Sequence, residues 1–422
     1  MRVLVIGGYG FIGRAVGETL LQRGHHVVGW GRSAELGHRL LPAVDWIEGD
    51  LNRMQDASSW RDALMGVDAV VNASGALQDA PGADLAKVQG MAIVALIDAC
   101  MAAGIRRFVQ ISAPGATAAA DTRFMSTKGF ADAHLRASGL DWIILRPTLV
   151  IGRDAYGGTA LIRALAALPI QLTVYGTSVV QCVALDDVAL ACSEAVEGRL
   201  AARSDLVLTA PETPTLREVV ALHRRWLGLP PAWLSIDLPA VLSAPIAWLA
   251  DTAGCLGWRS PLRSTALHVM RRGVLATDSA VHHTGRLAQI FAGKPVGMQD
   301  RIWARLFLLQ PLIILTLAAL WIGSGTIGLI ESRRAAAILG GGGHVIALVR
   351  GCSILDLLLG AAILIRAWAR AAAIAMAAVS AAYLIAGTIV TPALWLDPLA
   401  PLLKIGPAFL LAIVAAATLD RR

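Results

Sequence analysis

Two stretches of this chain, residues 306–330 and 371–396, run without a charged side chain. Each is long enough as a helix to cross the roughly 30 Å hydrocarbon core of a bilayer. A backbone in lipid has no water to bond with, and uninterrupted apolar runs of this length satisfy their N–H and C=O groups as helices. Two weaker spans fit around them. Residues 345–365 contain Arg350 and Asp356, and residues 399–419 contain Lys404 near their start, where its ammonium can snorkel to the interface. The expectation is a C-terminal bundle of four transmembrane helices in residues 301–422, with three as the fallback. The mean hydropathy of +0.62 owes its height to this third of the chain. An acid within a span costs about 2.5–3.5 kcal/mol on insertion scales. Asp356 should therefore face the bundle interior and find a partner: Arg350 six residues earlier, Arg366, or a group on a neighbouring helix. Such a site is either a structural ion pair or a substrate or proton site.

The formal charge of +7 is gathered ahead of the first span, where Arg259, Arg263, Arg271, Arg272, Arg286, Lys294, Arg301 and Arg305 stand against Asp278 and Asp300. A juxtamembrane basic block attracts anionic lipid head groups, at about 1 kcal/mol per charge near the surface. A bilayer with anionic head groups is thus the expected partner, and a merely solvated basic face is the alternative. No nucleic-acid motif accompanies the block, so nucleic acid is not expected. With four spans, Arg301, Arg305, Arg366, Arg370, Arg421 and Arg422 share one side against Arg333, Arg334, Arg350 and Lys404 on the other. That asymmetry expects a multi-pass protein of a bacterial inner membrane with both ends in the cytoplasm. No signal peptide is visible, since residues 1–7 read as a strand running into a glycine turn. Cys100, Cys182, Cys192, Cys255 and Cys352 are odd in number and without metal-ligand spacing. They read as reduced thiols, with no metal site.

The first 150 residues alternate short apolar strands (3–6, 27–30, 44–47, 67–71, 108–111 and 142–145) with helical patterns at 11–21, 85–103 and 131–137. Glycines close several helices, and Pro147 stops the sixth strand. This pattern means α/β: a doubly wound parallel sheet covered on both faces, occupying residues 1–150. Residues 151–300 are less regular and read as a small substrate-side domain that completes the first. Within them, residues 238–250 are apolar but interrupted by Pro245 and too short to span, which suits a substrate-domain helix or an interfacial segment.

Directly after the first strand stands Gly7-Gly8-Tyr9-Gly10-Phe11-Ile12-Gly13, which satisfies both G-x-x-G-x-x-G and G-x-G-x-x-G. Without side chains the backbone can turn tightly and approach a diphosphate, and the following helix points its first N–H groups at the charge. The end of the second strand chooses between cofactors. An NAD site usually places an acid there; this chain has Gly31-Arg32-Ser33, with Glu35 nearby. Arg32 can pair with a 2′-phosphate and Ser33 can hydrogen-bond it, so NADP(H) is favoured over NAD(H).

With these residues in order, the first 300 residues resemble the short-chain dehydrogenase/reductase superfamily in its atypical branch, which includes the complex I 39-kDa-subunit-like and NmrA-like proteins. Further matches carry the resemblance. Gly49-Asp50-Leu51 looks like the acidic adenine contact, and Asn72-Ala73-Ser74-Gly75 like the loop flanking the adenine ribose. Ser112 matches the active-site serine position, and Lys128 the lysine of the Tyr-x-x-x-Lys motif. Arg146-Pro147-Thr148 resembles the segment beside the nicotinamide, and residues 181–188, with Asp186-Asp187-Val188-Ala189, resemble a later acidic loop. The last third separately resembles the DoxX-like four-helix membrane family, through Arg350, Asp356 and Gly360, and through Pro401-x-x-Lys404. The resemblance implies a membrane-anchored NADP(H)-binding oxidoreductase, epimerase- or dehydratase-like in its fold.

One departure matters. In hydride-transferring members the tyrosine is general acid or base, and the lysine lowers its pKa and holds the nicotinamide ribose. Here the tyrosine position is Phe124, which cannot transfer a proton, whereas Lys128 is retained as one of four lysines in an arginine-rich chain. Ser112, Thr122, Ser126, Thr127 and Tyr156 are the candidate substitutes as donor. Two functions remain open on the residues. One is reduction of a small hydrophobic or quinone-like substrate, since a quinone can take its protons from water. The other is a non-catalytic NADP(H)-binding module that senses redox state or supports a membrane complex.

Overall fold

Val3, Leu4, Val5 and Ile6 are each at most 1 % exposed, so the strand they form must be covered on both faces. Leu4 and Ile6 enter one apolar core with Val70, Phe108 and Ile144. Val3 and Val5 enter a second with Val71, Val109 and Ile143. Side chains alternate across a strand, and two cores on opposite faces of one sheet are what an unbroken apolar strand demands.

The structure, a computed structural model, describes residues 1–79, 84–258, 260–276 and 280–419. Arg259, Asp278, Arg421 and Arg422, which entered the charge argument, lie outside the described residues. The chain divides into two compact units: residues 1–251 with 260–301, and residues 252–259 with 302–422.

In the first unit the elements run β1 (Arg2–Ile6), α1 (Phe11–Gln22), β2 (His26–Gly31), α2 (Ala34–Leu40), β3 (Asp45–Glu48), β4 (Ala69–Asn72), α3 (Ala92–Ala102), β5 (Arg107–Ile111), α4 (Arg123–Ala137) and β6 (Asp141–Pro147). There follow β7 (Leu149–Ile151), α5 (Gly157–Ala167), β8 (Ile170–Val174), β9 (Cys182–Ala184), α6 (Leu185–Val196), β10 (Ser204–Thr209), α7 (Leu216–Trp226), β11 (Leu234–Leu238), α8 (Ser243–Cys255), α9 (Ser264–Arg272) and β12 (Ala280–His283). The main sheet has eight strands in the order β12-β10-β6-β5-β4-β1-β2-β3, all paired parallel. The order reverses at β1, which places a crevice at the carboxyl ends of β1 and β4, where doubly wound sheets take their ligands.

Three local expectations change. The sheet does not close at residue 150, because β10 and β12 extend it. The sixth strand is not stopped before Pro147 but ends on it, paired with Leu208; a proline without an N–H is tolerated at such a terminus. The helix expected over residues 85–103 opens with a π-helical stretch, Ala86–Met91, before α3. That widened turn buries Gln89, whose Oε1 accepts from the Ala76 N–H at 3.3 Å. Such turns often sit at functional sites.

The second unit holds α10 (Met298–Ile330), α11 (Ser332–Ile338), α12 (Gly343–Ala362), α13 (Arg366–Val390) and α14 (Pro401–Thr418). Among the described residues α10, α12, α13 and α14 are the four helices long and apolar enough to cross a membrane. Their shared core includes Leu317, Trp321, Ala373, Met376, Ala412 and Ala415. Small residues let helices approach closely: a Cβ on Gly360 would stand 2.7 Å from the Ile322 side chain. Asp356 does face the bundle interior, but its bonds are to neutral hydroxyls. Ser324 Oγ donates to it at 3.1 Å and Tyr383 OH at 2.9 Å, while Arg350 donates to Ser332 Oγ. The six-residue spacing puts Arg350 and Asp356 on different faces of α12, so the arginine goes to a neighbour of its own.

Candidate functional site

The glycine turn is built for a close approach. Gly7 has φ +72°, and a Cβ on it would stand 3.0 Å from Ser74 Cα. A Cβ on Gly13 would overlap the carbonyl oxygen of Gly7, so the first turn of α1 can press against the loop only with glycine there. The N-cap, Gly10, offers no side chain. The N–H groups of Phe11, Ile12 and Gly13 therefore begin the helix without a capping side chain, and a diphosphate can accept from them. Across the crevice, Asn72 Oδ1 accepts from Ser74 N–H at 3.1 Å and from Ser74 Oγ at 2.5 Å, and its amide donates to Gln110 Oε1 at 2.8 Å. These bonds fix the loop that carries Ala73 and Ser74. The residues present fit a dinucleotide.

At the adenosine end the structure adds two groups that no sequence motif marks. The Tyr9 ring packs against Gly31, where any Cβ would overlap it, and its hydroxyl accepts from the Arg32 N–H at 2.9 Å. Glu48, which pairs with Gly31 across β2 and β3, accepts from the Ala34 N–H at 3.0 Å. A carboxylate thus stands at the start of α2, beside the exposed Arg32. Ser33 is the N-cap of that helix, accepting from Leu36 N–H at 3.2 Å; its own O–H remains a donor. Asp50 caps the next turn through Oδ1, which accepts from Asn52 N–H at 3.1 Å. The Leu51 side chain belongs to the apolar core, which leaves its backbone for a ligand.

At the other end, Lys128 is 6 % exposed and its ammonium donates to Ile111 O at 2.8 Å. It lies beside Gly75, whose added Cβ would stand 3.5 Å from Nζ. Burial lowers its pKa to about 8. Phe124, one helical turn earlier, holds its ring centroid 5.9 Å from the same nitrogen. Ser112, the residue after β5, is held within the fold. It is 5 % exposed, and its hydroxyl donates to Asp132 Oδ2 at 2.5 Å within a buried network. Arg146 joins that network, pairing with Asp132 at 2.9 Å and with Asp205 at 2.6 Å. Burial raises the Asp132 pKa, against the pull of Arg146 and the Ser112 bond. Ser112 thus orders the β5–α4–β6 junction. Pro147 is buried at the end of β6. Phe11, at the start of α1, stacks on Tyr156 with ring centroids 5.8 Å apart.

A cleft of about 400 Å³ opens beside Phe124, lined also by Leu77, Asp79, Thr122, Arg263 and His268. Of the five candidate donors, Thr122 lines it, with its Oγ1 accepting from Met125 N–H. Ser126 and Thr127 donate to Arg123 O. His268 is not legible as a cleft residue in the sequence, because α9 is remote from the glycine motif and no motif marks it. The later acidic pair is tied down, Asp186 to Lys294 at 2.7 Å and Asp187 to the Gly285 N–H at 3.0 Å.

Residues 7–196 match the NAD(P)H-binding family, and residues 318–413 match the DoxX-like family. Among curated proteins, a 2-alkyl-3-oxoalkanoate reductase of Stenotrophomonas maltophilia is 32 % identical over 175 residues, covering 36 % of this chain and 52 % of the relative. A 3 beta-hydroxysteroid dehydrogenase/Delta 5-->4-isomerase of Mycobacterium tuberculosis is 33 % identical over 122 residues, covering 26 % of this chain and 31 % of the relative. The chain spans about half the length, or less, of these relatives. The enzyme WbmH of Bordetella bronchiseptica, solved in complex with NAD+, aligns with TM-score 0.48 at 20 % identity over 57 % of this chain and 86 % of its own. The glycine cradle, the reversal of strand order above it and the family matches agree: this chain joins an NAD(P)-binding Rossmann domain to a C-terminal DoxX-like membrane domain with four apolar helices.

Proposed function

We propose that the protein is a membrane-anchored NADP(H)-dependent oxidoreductase acting on a hydrophobic or quinone-like substrate. The observation that carries this reading is the cleft beside Phe124, which adjoins the end of the crevice where Lys128 is held. When bound, the nicotinamide supplies or takes a hydride. The chain's own part is to cradle the diphosphate on the start of α1, to hold the ribose with Lys128, and to shape the cleft with Phe124. The two curated relatives are named for an alkyl-bearing oxoacid and for a hydroxysteroid, which favours a lipophilic substrate here. Phe124 brings no exchangeable proton, and an acceptor that takes protons from water fits that lack.

The 2′-phosphate preference rests on Arg32, and Glu48 opposes it. The basic residues flanking the spans favour a cytoplasmic placement of the Rossmann domain and contact with anionic lipid. The test is NADPH oxidation followed by absorbance with the full chain in nanodiscs, across quinones and alkyl ketones. Turnover above background with a lipophilic acceptor is expected; none with any acceptor would overturn the reading. Phe124 also favours a second function, a cofactor-binding module without turnover. It is distinguished by tight NADPH binding in calorimetry with no oxidation.

A further inference from the structure

An apolar surface lies on the first unit. From Leu238 to Ala250 the chain carries no charge. Within this stretch Val241 is 76 %, Trp248 66 % and Leu249 62 % exposed, while Ala250 is 8 % exposed. Residues 241, 245, 248 and 249 recur at helical spacing along one exposed stripe. The neighbouring two-stranded sheet repeats the inversion. In β8 the polar Gln171 and Thr173 are buried, whereas Ile170 and Leu172 point outward. Leu234 and Ile236 stand opposite them in register on β11 and are exposed too, and Trp233 just before them is 84 % exposed. Tyr175 OH donates to Ser243 Oγ at 3.0 Å, so the strand pair and α8 make one continuous surface. Polar side chains inward and apolar ones outward reverse the pattern of a surface facing water.

We propose that this face, α8 with β8 and β11, lies in the head-group region of the bilayer and admits the substrate to the cleft from the lipid. The inference rests on the oxidoreductase reading for the substrate and on the surface alone for the lipid contact. Continuity with the spans favours lipid as the occupant. The last turn of α8 and the residues after it belong to the membrane unit. There Leu256 O accepts from the Arg366 N–H at 3.0 Å, Trp258 Nε1 donates to Leu364 O at 2.6 Å, and the Trp258 ring packs on the core of the spans. A helix whose chain runs on into the membrane unit, and which carries exposed tryptophan and leucine, has the composition of an interfacial segment. Its connection to the cleft is direct. Asp251, on α8, accepts from Arg263 Nε at 2.9 Å, and the same guanidinium donates to Asp79 O at 3.2 Å. Both Arg263 and Asp79 line the cleft. The substrate class that follows is a bilayer-dissolved amphiphile with a reducible carbonyl or quinone head.

The test uses the full chain in nanodiscs of mixed phosphatidylcholine and phosphatidylglycerol, with a diazirine lipid as photolabel and peptide mass spectrometry. Labelling of residues 233–249 as well as of the spans is expected. Labelling confined to residues 298–418 overturns the proposal, as does cross-linking of 233–249 between two copies of the chain in place of lipid. The double variant Trp248→Asp with Leu249→Asp, checked for unchanged NADPH affinity, should lose at least fivefold of that labelling. It should also raise the KM for a long-tailed quinone about tenfold and leave that for a short, water-soluble analogue unchanged. Equal effects on both substrates overturn the route from lipid. If the unaltered chain fails to oxidise NADPH with every acceptor tried, the oxidoreductase reading falls, and the photolabel still decides the lipid contact.

Discussion

The Lys128 ammonium donates to the carbonyl oxygen of Ile111 at 2.8 Å, tying the second turn of α4 to the last residue of β5. The bond holds a cation in a nearly closed site, and desolvation draws its pKa from 10.5 to about 8. Because the folded value lies below the unfolded one, the folded state holds this proton less tightly. The charged lysine therefore penalises folding below pH 8, and stability recovers as pH rises from about 8 to 10.5. Replacing Lys128 by Met should raise the thermal midpoint of the detergent-solubilised chain at pH 7 and flatten its rise between pH 8 and 10. NADPH affinity should fall at least tenfold. A variant no more stable than the parent at pH 7 would mean that the lysine is not paying a desolvation cost.

His223 works at the acid end. It is fully buried on α7, its Nδ1 lies 2.9 Å from Val219 O and its ring meets Phe291 edge-on. Burial lowers its pKa from 6.5 to about 4. Stability is complete above pH 6.5 and is lost as pH falls towards 4, at about 1.4 kcal/mol per pH unit. In a pH series of thermal unfolding, His223→Leu should remove most of the acid sensitivity in that window.

Arg32 and Glu48 place opposite charges at the adenosine end of the crevice. Calorimetry on Arg32→Ala should show NADPH binding weakened about tenfold, or ~1.4 kcal/mol, with NADH little changed. Glu48→Gln should strengthen NADPH binding several-fold by removing repulsion of the 2′-phosphate. Equal losses for both cofactors in Arg32→Ala would show that the guanidinium does not read the phosphate.

Gly13→Ala puts a methyl group into the Gly7 carbonyl. Overpacking of this kind costs about 1–3 kcal/mol, and here it displaces the helix start from the diphosphate. Binding of both dinucleotides should fall at least tenfold. A change smaller than twofold would show that the turn can open without cost.

Phe124→Tyr restores a phenol one helical turn from Lys128. If the reaction lacks a protein-borne donor, turnover of a carbonyl substrate should rise severalfold, with quinone turnover unchanged. The steady-state rates for the two substrate classes, measured side by side, decide this.

What the sequence determined alone was local or periodic. Apolar strands between glycine-closed helices required a sheet covered on both faces. A glycine turn at the end of β1 required a close ligand, and charge-free runs of membrane length required spans, because backbone polarity and side-chain volume act over a few residues. Only the tertiary structure decided what depends on distant segments meeting. It turned Ser112 inward to Asp132 and Arg146, gave Asp356 hydroxyl partners from two other helices, set Glu48 against α2, and brought α9 with His268 to the cleft. A hydrogen bond across tens of residues leaves no periodicity in the chain, so the inward turn of Asp356 was legible, but the groups that meet at each of these places were not until the sheet and the bundle had formed.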